Sequence, residues 1–157
     1  MSDIVIGKPA PAFKLPTAEG ENVALSKLKG RAVVLYFYPR DDTPGCTAEA
    51  KDFSGLSRQF EKAGATVIGV SKDSLKAHEK FRDKHDLKVT LASDESGATV
   101  EGYGVWVEKN MYGKKSMGIE RATFLIDSKG VVRQIWRKVK VPGHAEEVLK
   151  AVKDLPQ

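Results

Sequence analysis

The only cysteine of this chain, Cys46, is its first candidate for chemistry. It ends the stretch TPGC and opens a predicted helix. Thr43 is a typical N-cap residue, and Pro44 suits the first helical position because its missing N–H would have no partner there. Cys46 is therefore predicted in the first turn of a helix, just after the carboxyl end of a strand. Ligands of open α/β sheets commonly bind at such a place.

A cysteine reacts as its thiolate, and a helix start favours that form only weakly. A free thiol titrates at a pH of about 8.5, so little of it is ionised at neutral pH. Lowering that value by about two units requires roughly 2.7 kcal/mol, whereas a helix amino terminus supplies about 0.3–1 kcal/mol. A reactive Cys46 therefore needs a fixed cation or several donated hydrogen bonds. The open alternative is an inert core residue, since lone cysteines are among the most buried residue types.

Apolar periodicity predicts alternating strands and helices around this residue. The run AVVLYFYP is typical of a strand buried on both faces, and one amphipathic helix is predicted across residues 44 to 63, ending before Gly64. The later elements are a strand ATVIGVS, a helix SLKAHEKFRDKHD, an irregular stretch, a hairpin of ATFLID and VVRQIW, and a closing helix after Pro142. Two short extended pieces, AFKLP and NVAL, precede the first long strand.

This order of elements predicts an α/β fold that resembles the thioredoxin arrangement, a central mixed β-sheet flanked by helices on both faces. The strand–helix–strand–helix part favours parallel pairing, and the hairpin supplies an antiparallel edge. No repeat or long linker interrupts the pattern, so residues 1–157 are interpreted as a single domain.

Composition excludes several classes of protein. No apolar run approaches the roughly 18 residues of a membrane span, and the amino-terminal residues do not resemble a secretory signal. A single cysteine cannot form an intrachain disulfide, so a cytoplasmic location is expected. The net charge of +5 comes from basic residues spread among acidic ones, which favours a mixed, solvated surface over a nucleic-acid site.

The segment FYPRDDTPGCTAEAKDF resembles the active-site segment of the peroxiredoxins, with Pro39, Thr43 and Cys46 in the pattern P-x-x-x-T-x-x-C. Together with the later MYGKKSMGIERATFLID, it is similar to the bacterioferritin-comigratory, or Q-type, subgroup. The likeness extends from GKPAPAF to the last helix. It implies a thiol peroxidase that reduces hydrogen peroxide and small organic hydroperoxides at Cys46, with no metal, flavin or haem cofactor.

The resemblance also implies a role for five residues. Cys46 would attack the peroxide and become a sulfenic acid, and Arg121 would be the cation that favours its thiolate. The Thr43 hydroxyl would bond the sulfur or the peroxide, Pro39 would shield the sulfur from water, and Glu49 would hold Arg121 by an ion pair. Taken singly, Arg121 could equally be a surface salt bridge, Thr43 only an N-cap and Glu49 part of a solvated helix face.

One departure from the subgroup concerns recycling. Many members carry a second, resolving cysteine five residues after the first, where this chain has Lys51, and others carry it in the following helix, which has none here. An external thiol such as thioredoxin, glutaredoxin or glutathione is therefore expected to reduce the sulfenic acid. A transient Cys46–Cys46 link between two chains is the alternative. The subgroup contains monomers and dimers, so a monomer or weak homodimer is expected.

The residues leave two other functions as alternatives. A thioredoxin-type dithiol oxidoreductase is disfavoured because the chain has no C-x-x-C. A binding module could use Trp106, Tyr112, Lys114 and Lys115 to hold single-stranded nucleic acid, but the resemblance implies that Trp106 and Tyr112 pack beside the active site.

His78 and His85 are candidate metal ligands. They lie seven residues apart in a predicted helix. No tight third ligand accompanies them in the sequence, and metal sites usually have three or four converging ligands. A polar helix face is the favoured interpretation, and no metal is expected.

Overall fold

Residues 4–156 are described by the structure, a computed structural model. Its elements form one five-stranded sheet, two two-stranded sheets and the helices around them. In chain order the elements are β1 (Lys14–Pro16), β2 (Asn22–Ala24), a 3₁₀ helix (Leu25–Lys27), β3 (Ala32–Phe37), α1 (Pro44–Gly55), α2 (Ser57–Lys62), β4 (Ala65–Ser71), α3 (Leu75–His85), β5 (Thr90–Ser93), α4 (Ala98–Gly102), β6 (Trp106–Met111), β7 (Lys114–Ile119), β8 (Ala122–Ile126), β9 (Val132–Trp136) and α5 (His144–Lys153).

The central sheet has the strand order β5-β4-β3-β8-β9. Strand β3 lies in the middle, parallel to β4 and antiparallel to β8. All six of its residues are buried, as its continuous apolar run predicts. The β8–β9 hairpin supplies the antiparallel edge, so the predicted mixed sheet of an α/β, thioredoxin-like fold is confirmed.

Helices cover both faces of this sheet, but unevenly. On one face, α1, α2, α3 and α5 bury Phe53, Phe60, Phe81 and Val148 in a shared apolar cluster. The other face is covered by α4, the 3₁₀ helix and the β1–β2 pair, with Tyr103 at the centre of a second cluster. None of the helices in residues 4–156 is both long enough and apolar enough to cross a membrane.

The single helix predicted across residues 44 to 63 is wrong, because the chain turns at Leu56 and forms two helices. The backbone of Leu56 leaves helical geometry, with φ −104° and ψ 7°, directly after Gly55. Glycine is a poor helix former, so a break there costs little. The turn lets Phe53 and Phe60 pack at 5.8 Å between ring centroids, so one apolar stripe continues across both helices.

The stretch predicted as irregular contains β5, α4 and the β6–β7 hairpin. Most side chains of β7 are exposed, so this hairpin lacks the apolar alternation that marks a half-buried strand. Its turn is Tyr112-Gly113, and both residues have positive φ, 54° and 80°. Positive φ at both central positions is the geometry of tight hairpin turns. In the sequence, Gly113 is the residue that indicates such a turn.

The pairing of β3 with β8 positions the candidate site. Phe37, the last residue of β3, pairs with Ala122, the first residue of β8. Because the strands are antiparallel, the loop that leaves β3 and the residue that precedes β8 meet at one edge of the sheet. Cys46 and Arg121 follow and precede these two strands, and they therefore come together although they lie 75 positions apart.

We predict that Gly69→Ala destabilises the protein by about 1–3 kcal/mol through overpacking. A Cβ at Gly69 in β4 would lie 2.6 Å from Cζ of Tyr36, whose ring is fully buried and stacked on Phe53 at 4.7 Å. Gly55→Ala is the control, because a Cβ there meets nothing within 4 Å. Urea unfolding would measure both, and an equal effect of the two substitutions would contradict this packing.

Candidate active site

The loop between β3 and α1 places Thr43 at the N-cap and Pro44 at the first helical position, as predicted. The backbone carbonyl of Thr43 accepts the first helical bond, from the amide of Thr47 at 2.8 Å. The expected side-chain cap is wrong, since the Thr43 hydroxyl instead donates to the carbonyl of Arg40 at 3.0 Å. This hydrogen bond closes the loop on itself just before the helix begins.

Cys46 lies in the first turn of α1 with 2% of its surface exposed. The Nη2 group of Arg121 donates a hydrogen bond to its sulfur at 3.4 Å. Gly45 makes room for this contact, because a Cβ at that position would lie 3.1 Å from the same Nη2. Cys46 packs in the apolar cluster of the core, but its sulfur also faces a cation, which the inert-core alternative does not predict.

Glu49, one turn further along α1, binds the other side of the same guanidinium. Its Oε1 lies 2.6 Å from Nη1 of Arg121, and the two side chains are 2% and 17% exposed. Burial raises the pKa of Glu49 to about 7, against the opposite influence of Arg121. Glu49 therefore does not lie on a solvated helix face, and its carboxyl faces the guanidinium of Arg121.

The charge of Arg121 is held from several sides. Burial acts to lower the pKa of Arg121, but the charges of Glu49 and Cys46 outweigh it, and the net shift is upward. The backbone of Arg121 is also fixed, because its carbonyl accepts a hydrogen bond from the amide of Val139 at 3.0 Å. A guanidinium fixed at both its backbone and its head can hold one position against the sulfur.

Pro39 and Thr43 belong to the loop that leads to Cys46. Pro39 follows the last buried residues of the β3 run and is itself half-buried. Thr43 is also half-buried, and its hydroxyl hydrogen bond goes to Arg40 rather than to the sulfur. The structure thus brings Cys46, Arg121 and Glu49 into direct contact, and it places Pro39 and Thr43 in the adjoining loop.

A second cation near this cluster, Lys109, was missed by the sequence analysis. Its side chain crosses Gly118 on the opposite strand, where a Cβ would lie 3.1 Å from its Cδ. Burial lowers the pKa of Lys109, as does Arg121, while Cys46 and Glu120 act in the other direction. Lys109 therefore shares the electrostatic field of the site. Its position depends on the β6–β7 hairpin, which the apolar pattern did not predict.

The interpretation of His78 as part of a polar helix face is wrong. Its ring is fully buried, with Nδ1 at 2.6 Å from Oδ2 of Asp41 and Nε2 at 2.9 Å from the carbonyl of Ala92. His85 is half-buried, with 15% of its side chain exposed, and its Nε2 lies 2.8 Å from Oδ1 of Asp42. The signal in the sequence was that Phe81 and His78 are three residues apart, on the apolar side of α3.

The expected packing of Tyr112 beside the active site is also wrong. Tyr112 occupies the tip of the β6–β7 hairpin and is 99% exposed. Trp106, at the base of that hairpin, is half-buried, and the ammonium group of Lys72 lies 4.2 Å from its ring centroid. The tip of the hairpin at Tyr112 is therefore exposed to solvent, whereas Trp106 at its base packs against the second cluster.

Residues 6–135 match the model of the AhpC/TSA family. A putative peroxiredoxin Bcp of Coxiella burnetii is 56% identical over 146 residues, which are 93% of this chain and 97% of that protein. The peroxiredoxin Bcp of Bacillus subtilis is 47% identical, with 98% of each chain covered. These similarities span nearly the whole chain, and the match to the family model includes both Cys46 and Arg121.

Solved structures agree with this likeness. The bacterioferritin comigratory protein of Xanthomonas campestris, which was studied for its alkyl peroxide reduction activity, superposes with a TM-score of 0.88 at 45% identity, covering 95% of this chain and 98% of that one. A PrxQ mutant of Xylella fastidiosa superposes with a TM-score of 0.91 at 41% identity, and 98% of each chain is covered.

We predict that Gly45→Ala makes Cys46 less reactive without destabilising the fold. The added methyl group would press on Nη2 of Arg121 at 3.1 Å, while alanine favours the helix by up to about 1 kcal/mol. The rate of alkylation of Cys46 at neutral pH should fall, and thermal unfolding should show no loss of stability. Gly55→Ala, in the last turn of the same helix, is the matched control. Equal alkylation rates in wild type and Gly45→Ala would contradict the claim that Gly45 leaves the space that Arg121 needs.

Proposed function

This chain belongs to the AhpC/TSA family of peroxiredoxins, and from that premise we propose that Cys46 is the residue at which it reduces peroxide. The protein is a thiol-dependent peroxidase that reduces hydrogen peroxide and organic hydroperoxides through a cysteine sulfenic acid. The observation that carries the assignment is the 3.4 Å contact between Arg121 and the sulfur of Cys46, the only thiol of the chain.

The thiolate of Cys46 attacks the distal oxygen of the peroxide, and the O–O bond breaks as the S–O bond forms. The products are the sulfenic acid of Cys46 and an alkoxide or hydroxide, which takes up a proton and leaves as an alcohol or water. Sulfur is oxidised and the peroxide oxygen is reduced, so the residues of the site carry the reaction without an added cofactor.

Arg121 has two roles in this step. Its charge favours the thiolate of Cys46 before the reaction. Its N–H groups also donate to the peroxide oxygens, where negative charge develops as the O–O bond breaks. Glu49 acts through Arg121, because the 2.6 Å contact fixes the guanidinium in place.

Thr43 and Pro39 complete the proposal. Rotation of the Thr43 side chain away from the Arg40 carbonyl, which it now contacts at 3.0 Å, would turn the hydroxyl toward an incoming peroxide. Pro39 has no backbone N–H and is half-buried, so it limits the access of water to the thiolate from the loop side.

External thiols complete the cycle in this proposal. A first thiol condenses with the sulfenic acid to give a mixed disulfide and water, and a second thiol releases Cys46 and forms the external disulfide. Thioredoxin, glutaredoxin and glutathione are the candidate donors. Lys51, at the position where many members carry the resolving cysteine, is exposed on α1. Cys46 is only 2% exposed, and this burial disfavours a direct disulfide between two Cys46 residues. Dependence on such donors also favours a cytoplasmic location, where thiols are kept reduced.

Mass spectrometry tests the proposed function directly. The protein is treated with substoichiometric hydrogen peroxide in the presence of a dimedone-type reagent, and the adduct is located by mass. The expected result is one adduct, on Cys46, formed much faster than on free cysteine. A wild-type protein that reacts no faster than free cysteine would refute the function. Peroxide consumption with thioredoxin, with glutaredoxin plus glutathione, or with dithiothreitol then identifies the donor.

Arg121→Ala should slow the reaction of Cys46 with hydrogen peroxide by about 10- to 100-fold. That range corresponds to the loss of a hydrogen bond to a charged group, about 1.5–3 kcal/mol. Competition with a haem peroxidase for limiting peroxide would give the rate without any recycling thiol. Arg137→Ala is the matched control, because Arg137 lies in the segment after β9 with 42% of its side chain exposed. Similar rates in the two variants would remove Arg121 from its proposed role.

A further inference from the structure

A buried hydrogen-bond network ties the loop before Cys46 to helix α3. Asp41 belongs to this loop, and Oδ2 of its carboxylate lies 2.6 Å from Nδ1 of His78. The side chains are 6% and 0% exposed. Oδ1 of Asp41 accepts a hydrogen bond from the hydroxyl of Tyr38 at 2.5 Å. The loop is therefore fixed through a side chain that neither the proposed reaction nor the sequence motif uses.

The geometry sets the number of protons in the pair. Nε2 of His78 lies 2.9 Å from the carbonyl of Ala92, which can only accept, so Nε2 carries a proton. At 2.6 Å, Nδ1 and the Asp41 carboxylate must also share a proton, because two lone pairs would otherwise face each other in a buried site. The pair is thus held together by one buried proton.

The neighbouring acidic group, Asp73, is already engaged. Its Oδ2 accepts from the backbone amide of Asp41 at 2.8 Å and from the hydroxyl of Ser71 at 2.6 Å. Ligand atoms of Asp41, Asp73 and His78 lie within 4.8 Å of one another. A cation among them would have to displace these hydrogen bonds, so the arrangement fits a proton better than a metal.

The segment that this pair anchors is short and shaped by backbone geometry. Asp42 has a φ of 59°, a left-handed conformation that costs energy for a residue other than glycine. The next residue, Thr43, occupies the N-cap position of the helix that bears Cys46. An exposed contact reinforces the same loop, since Asp42 pairs with Lys84 and His85 of α3, each at 2.8 Å. Loss of the contact with His78 would leave this part of the loop held by the hydrogen bonds of Asp41 to Tyr38 and Asp73 and would remove its direct side-chain link to α3 through Asp41.

We propose that Asp41 and His78 form a positioning pair for the reaction of Cys46, and that loss of their shared proton sets an alkaline limit on that reaction. The proposal rests on the function assigned above to Cys46. The reaction then requires two opposite states, a Cys46 that has lost its proton and a pair that has kept its own. Their combination gives a bell-shaped pH profile.

The charges around His78 support a loss of the shared proton on the alkaline side. Burial acts to lower the pKa of His78, but the hydrogen bond and charge of Asp41 outweigh it, and the net shift is upward. The contact therefore stabilises the fold fully below the ordinary histidine pKa of about 6.5 and is lost as the pH rises through the raised value. The other groups that face His78 are Asp73 and Tyr38, and burial raises the pKa of Tyr38, so its phenol stays neutral.

Asp41→Asn gives the sharpest test. An asparagine amide can donate to an unprotonated Nδ1 while its oxygen still accepts from Tyr38, so the contact no longer needs a shared proton. The rate of Cys46 with hydrogen peroxide, measured by competition from about pH 5 to about pH 10, should fall at alkaline pH in wild type. Asp41→Asn should lose this alkaline fall. His85→Gln is the control from the same helix and should keep it.

A second variant and a spectroscopic readout complete the test. His78→Phe should slow the reaction about tenfold, because it leaves a buried carboxylate without its partner. Nitrogen–proton correlation spectra of the imidazole rings should show His78 protonated on both nitrogens at neutral pH, whether or not peroxide reacts. An alkaline fall that persists in Asp41→Asn, or an absent fall in wild type, would overturn the proposal, as would a neutral His78. A wild type that is unreactive toward peroxide would instead refute the function, while the spectra would still decide the shared proton.

Discussion

The site depends on one contact, the hydrogen bond from the guanidinium of Arg121 to the sulfur of Cys46. A thiolate at a 2% exposed position has little water to stabilise it, and a helix amino terminus offers only a fraction of the free energy required. Glu49 meets the same guanidinium from its other side and is equally buried. One cation thus balances two groups whose charged forms would each be costly alone, which explains why the burial of Cys46 and its proposed reactivity are compatible.

The fold provides this contact through strand pairing and close approach. Because β3 and β8 are antiparallel and Phe37 pairs with Ala122, the helix start after one strand faces the residue before the other. Gly45 leaves space for the guanidinium, and the amide of Val139 fixes the backbone of Arg121. The loop between them is anchored separately by Asp41 on α3. The position of the sulfur therefore depends on three parts of the chain that are distant in sequence.

The sequence predicted the elements better than their contacts. The apolar runs of β3 and β4, the β8–β9 hairpin and α5 follow from local pattern. The family resemblance supplied the candidate site residues, of which Cys46 and Glu49 both contact Arg121. The break at Leu56 and the exposed β6–β7 hairpin depend on packing and on turn geometry, and local periodicity does not record either. The burial of His78 depends on Asp41, 37 positions earlier, reaching α3. The turn of the Thr43 hydroxyl toward Arg40 is likewise a choice among local partners that residue type leaves open.

The most direct test of the central claim is a titration of the thiolate through the pH dependence of its alkylation rate, which reports Cys46 alone because the chain has no other cysteine. Wild type and Arg121→Gln would be compared under identical conditions. If Arg121 favours the thiolate, wild type should form it at a lower pH than the variant does. Coincident titration curves would contradict the account, because the guanidinium would then make no difference to the charge on sulfur.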